Sequence, residues 1–158
     1  MKFITTIKDL FLILKQKSLK QIFFGNKVYF NEQEQQLISW IKNNPKKFAK
    51  LGGRTGNFVN KDLIHQGKGT VYLFKNTLVF DADTKIRSGP DLWVYLSNSK
   101  DPRVDLGKYS NLGLLKGTTG GQSYQIKGKT GAYKSVIIYC KKFSVLFTYA
   151  LLKGVNNE

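Results

Sequence analysis

Residues 135–150 read SVIIYCKKFSVLFTYA. Two runs rich in β-branched and aromatic residues flank the polar pair Lys141-Lys142. That pattern predicts two antiparallel strands joined by a tight turn. It also sets the only cysteine of the chain, Cys140, at the end of the first strand, beside the turn. In a strand, Val136, Ile138 and Cys140 share one face and Lys141 points to the other.

Working outward, the same texture recurs. GTVYLF (69–74) and NTLVFD (76–81) meet at Lys75-Asn76 and read as a hairpin. SGPD (88–91) is turn chemistry, and LWVYLS (92–97) is a further strand. A loop at SNSKDPR, a glycine-rich entry into GTTGGQSYQI and a loop at GKTGAYK complete the series. Short strands every 8 to 12 residues predict a mainly β chain, an antiparallel β-sandwich or a barrel, from Gly52-Gly53 onward. Before that point the spacing is helical. Phe3, Ile4, Ile7, Leu10, Phe11 and Leu14 form one apolar stripe, which packs on the protein or lies on an anionic membrane. Asn31 and Glu34 make a capping box, Leu37, Ile38, Trp40 and Ile41 an apolar face, and Asn44-Pro45 a stop. PKKFAKLGG adds a short turn. Residues 1–51 are therefore expected to form two or three short helices, and residues 52–158 the β domain.

The chain has 158 residues and a formal charge of +16, from 26 Lys+Arg against 10 Asp+Glu. This balance suits polyanions: nucleic acid, an anionic membrane or an acidic protein. The charge is spread, with 10 basic residues in the first 50, so a generally lysine-rich surface accounts for it equally. One Cys and one His exclude an internal disulfide and a zinc site of the usual kind. The longest uncharged apolar run near the start, LFLIL (10–14), is short for a secretory signal and far too short to span a bilayer. With no cysteine near the start for a lipid anchor, the sequence by itself points to a cytoplasmic or peripheral-membrane location.

Few stretches carry recognisable chemistry. LGGRTGNF and LKGTTGGQS are glycine-rich, yet neither matches a phosphate-binding loop. Asp81 and Asp83 can face one side of a strand as a cation site or stand as solvated turn residues. Trp93, Tyr95, Tyr72 and Phe74 suit either a stacking platform for nucleic acid or a core. No catalytic set is visible, and His65 is the one candidate base. Cys140 is either a tuned thiol, which needs a cation or helix N-terminus nearby, or a small buried hydrophobe.

The order GNFV, IHQGKGTVYLF, TLVF, SGPDLWVYLS, NLGLLKGTTGGQSYQI and YKSVIIYCKKFSVLFTYALL resembles the DM-thirteen domain, a family labelled as electron-transfer, over residues 54–152. GPDLWVYLS and VIIYCKKFSVLF are its most specific pieces. The resemblance implies a β-sandwich acting in redox or electron transfer through one cysteine, as a bare thiol or as ligand to a group such as haem. Cys140 occupies that position. His65 is then a candidate second ligand or base, and Gly89, Pro90, Asp91 and Lys141 are candidate pocket walls. Members usually sit outside the cytoplasm, and either Asn111 stands where an acidic residue is expected before Leu-Gly or VDLG (104–107) is the matching stretch and KYSNLG is inserted. Two functions remain open: a redox accessory domain with an unidentified redox partner, or a non-catalytic binding module with a basic face for an anionic partner.

Overall fold

The computed structural model describes residues 6–16 and 19–154. The chain opens with α1 (Ile7–Lys15), a hairpin of β1 (Ile22–Phe24) and β2 (Lys27–Tyr29), then α2 (Glu32–Asn43) and α3 (Pro45–Lys50). The remainder is strand: β3 (Arg54–Asn60), β4 (Gly67–Lys68), β5 (Thr70–Phe74), β6 (Thr77–Phe80), β7 (Lys85–Ile86), β8 (Leu92–Ser97), β9 (Tyr109–Leu114), β10 (Thr119–Gly120), β11 (Gln122–Gln125), β12 (Ser135–Cys140), β13 (Val145–Leu151) and β14 (Lys153–Gly154).

Nine strands form one sheet in the order β11-β6-β5-β3-β13-β12-β8-β9, with β14 beside β3. The sheet folds over at β3. Arg54 to Asn57 pair with β5, and Phe58 to Asn60 pair with Ala150 to Thr148 of β13. The two halves face each other, as in a sandwich. Between them lies the main core of Phe58, Val71, Leu73, Phe80, Val94, Val136, Ile138, Phe147 and others, Cys140 among them. The expected hairpins form: β5 with β6 around Lys75-Asn76, and β12 with β13, Cys140 opposite Val145.

A smaller sheet runs β1-β2-β10-β7-β4. Its β2–β10 pair is parallel, where a wholly antiparallel fold was expected. A side chain at Gly120 would collide with the Val28 backbone, so only glycine lets these strands meet. Val28 and Ile86 point inward and are buried.

The N-terminal segment is helical as expected except at residues 22–29. Gly25-Asn26 between two short β-rich runs makes a two-residue hairpin turn, and Gly25 has φ +59°. Asn31 and Glu34 form the capping box, each side chain bonded to the other's backbone N–H at 2.8 Å. Leu10 is buried, with Phe11 and Leu14 half-buried, so this part of the α1 stripe packs on the protein. Phe3, Ile4 and the Ile7 side chain lie outside the described residues.

Trp40 and Phe48 share a hydrophobic cluster with Phe74 and Val79 of the sheet. The Trp40 ring stacks on Phe74, centroids 5.6 Å apart. Helices and sheet thus bury one continuous surface. No described helix is long and apolar enough to cross a membrane.

Candidate functional site

β12 alternates as its sequence predicts: Val136, Ile138 and Cys140 face the core, and Ile137 and Tyr139 face the other side of the sheet. Cys140 is fully buried, at 0% exposure. It pairs with Leu92 on one side and Val145 on the other, at the last rung before the turn. Its Sγ–H donates to the Pro90 carbonyl at 2.9 Å.

Residues 87–91 run without regular structure over this thiol, and Ser88, Pro90 and Asp91 are exposed. One layer of chain therefore separates Cys140 from solvent. Three contacts seat that layer. Gly89 lies against the Phe147 ring so closely that a Cβ would collide with it. The Asp91 carbonyl accepts from Lys141 N at 3.1 Å. The Asp91 carboxylate accepts from Trp93 Nε1 at 2.7 Å, across a residue held at φ +61°, a conformation aspartate tolerates.

Gly89, Pro90 and Asp91 thus lie over Cys140, and Lys141 joins them through its backbone N–H alone. The Lys141 ammonium sits 4.1 Å above the Trp93 ring, on the opposite side of the sheet from the thiol. His65 is placed differently. Its Nδ1 lies 2.7 Å from Asp62 and its ring meets Phe147 edge-on at 4.8 Å. The His65 hydrogen bond is the main cause that brings the Asp62 carboxyl down to about 2. Phe147 is therefore the shared neighbour of His65 and Gly89, a role the sequence reading did not assign to it.

A cleft of about 300 Å³ lies beside the turn, with Ser88, Gly89, Asp91 and Leu92 on one side and Leu114, Lys116 and Gly117 on the other. Buried Gln122 holds that second wall. Its Nε2 donates to Gly117 O at 2.9 Å, and its Oε1 accepts from Tyr124 Oη at 2.6 Å. Tyr124 Oη in turn accepts from Lys116 N, and burial pushes its hydroxyl well above the ordinary value.

A prosthetic group such as haem does not fit this arrangement. The Cys140 sulfur is sealed in the apolar core, His65 faces Asp62 and Phe147, and neither residue lines the cleft beside the turn. The other expected sites also resolve. Asp81 is buried and paired with Lys42 at 2.8 Å, while Asp83 accepts from Thr70 N at 3.3 Å. No group of three metal-ligating side chains occurs among the described residues. Tyr72 and Phe74 lie under the helices, whereas Trp93 and Tyr95 belong to the outer face of β8, so the four form no common platform.

A family model described as Electron transfer DM13 matches residues 57–152, well over half of the chain and all of the strands that build this site. No curated protein and no solved structure matches the chain. The match spans Gly89-Pro90-Asp91 and Cys140 alike, and the chain belongs to the electron transfer DM13 family.

Proposed function

We propose that this domain is a redox accessory module whose working group is the Cys140 thiol, exposed when the 87–91 segment lifts. The observation that carries this reading is the hydrogen bond from Cys140 Sγ to Pro90 O, which ties the thiol to an exposed, irregular segment.

One cysteine suits thiol–disulfide exchange with a partner disulfide. Once uncovered, the thiol gives its proton to solvent and the sulfur attacks one sulfur of the partner's S–S bond. That bond breaks, a mixed disulfide forms on Cys140, and the partner's other sulfur leaves as a thiolate and takes up a proton. Electrons balance without a further oxidant. Trp93 and Phe147 position the covering segment, through Asp91 and Gly89 respectively.

Incubating the folded protein with a small aromatic disulfide is expected to give a single mixed disulfide at Cys140, reversed by added thiol. Circular dichroism should retain its native signal throughout. Modification seen only after the native signal is lost would refute the proposal.

A further inference from the structure

The outer face of the smaller sheet carries a row of residues in direct cross-strand register. Lys68 pairs with Lys85, Lys85 with Thr119, Thr119 with Lys27, and Lys27 with Phe24. The next residues along these strands, Gly67, Ile86, Gly120 and Val28, are buried, so the row points away from the body of the protein. Arg87 lies two residues beyond Lys85 on the same side. At the other edge Ile22 and Tyr29 pair on the same side as Phe24. These three are 51%, 42% and 80% exposed.

Two features of this face have no use in folding. Like charges directly opposite each other on paired strands are destabilising. No carboxylate forms an ion pair with Lys27, Lys68, Lys85 or Arg87 among the described residues. The open cleft of about 840 Å³ beside the row is lined by Lys68, Lys85, Arg87 and uncharged residues, polar and apolar, again with no carboxylate. At the same time, a phenylalanine beside the turn of the β1–β2 hairpin and an isoleucine at its open end are held in water.

We infer that this face docks on an anionic lipid bilayer, with the lysine row on the headgroups and Phe24 and Ile22 in the acyl boundary. Charge complementarity and the apolar edge together select that occupant. Lysines near an anionic surface are attracted by its potential, and apolar side chains add burial in the interface. Single-stranded nucleic acid wants aromatic rings interleaved with the cations for base stacking. Here the two rings, Phe24 and Tyr29, stand only at the β1–β2 edge, with none between Lys68 and Lys85. The Tyr29 ring already lies 5.0 Å under the Lys27 ammonium, and Ile22 beside them offers a base nothing. The inference is independent of Cys140, so its failure leaves the thiol proposal untouched.

Co-sedimentation with vesicles of phosphatidylcholine plus phosphatidylserine, against phosphatidylcholine alone, tests it. Binding is expected only with the anionic lipid. Lys68→Gln with Lys85→Gln should weaken it by roughly 25-fold, about fivefold per lysine. Phe24→Ser should weaken it by about tenfold. Lys108→Gln with Lys129→Gln, an equal change of charge elsewhere on the surface, should change it less than about twofold, and arginine at 68 and 85 should retain it. A tryptophan introduced by Phe24→Trp should shift its emission to the blue on anionic vesicles. All of these side chains are exposed, and a circular dichroism melt checks that each variant folds. Equal loss in both lysine pairs, or no emission shift, overturns the inference. So does binding of a single-stranded oligonucleotide through Lys68 and Lys85 that ignores Phe24.

Discussion

Replacing Gly89 by alanine is expected to speed alkylation of Cys140 in the folded protein by roughly ten- to a hundredfold. The added methyl collides with the Phe147 ring, which is itself packed in the core and against His65, so the ring has little room to retreat. Overpacking of this kind costs about 1–3 kcal/mol. Here the strain falls on the closed position of the 87–91 segment and is relieved when the segment lifts. Each 1.4 kcal/mol so released corresponds to about a tenfold larger open population. Combining Gly89→Ala with Phe147→Leu should return the rate toward that of the natural protein. Timed alkylation followed by mass measurement reads both variants. An unchanged rate in Gly89→Ala, with only a lower melting temperature, would mean that the segment does not gate the thiol.

Trp40→Ala should lower the stability of the whole chain by about 3–5 kcal/mol. Trp40 is nearly fully buried, stacked on Phe74, and Phe48 meets the same ring edge-on at 5.5 Å. Removing the indole leaves a cavity between α2 and β5. Because this cluster spans helices and sheet, the loss is expected in one cooperative transition, moved down by roughly 10 °C. Differential scanning calorimetry decides it. Two separate transitions, with the β part melting unchanged, would instead make residues 1–51 an independent unit.

Periodicity made some of this architecture legible and hid the rest. The β12–β13 hairpin, the turn at 88–91 and the capping box at Asn31 are encoded within a few residues of each other, by alternation, turn chemistry and cap spacing. The position of Cys140 at a strand end followed from the same local signals. The β1–β2 hairpin had a local signal too, Gly25-Asn26, but the two runs beside it have three residues each and the surrounding pattern is helical. The parallel β2–β10 pair joins residues some ninety positions apart, and no spacing announces it. For the same reason the lysine row was invisible: Lys27, Lys68 and Lys85 are scattered in sequence and become neighbours only through strand register. Lys141 follows Cys140 directly, yet alternation sends its ammonium to Trp93 on the other face. His65 and Phe147 meet through packing between β3–β4 loop and β13, which local patterning does not contain.

The urea dependence of Cys140 modification tests the gated-thiol account most directly. The sensitivity of a rate to denaturant scales with the surface exposed in the reactive state. Lifting five residues exposes little, whereas global unfolding exposes the whole core. The account predicts that, at low urea, the rate of reaction with the aromatic disulfide hardly changes, and that it rises steeply only near the unfolding midpoint. A rate that follows the global unfolding slope from zero urea upward would contradict it, and Cys140 would then be packing in the sandwich core.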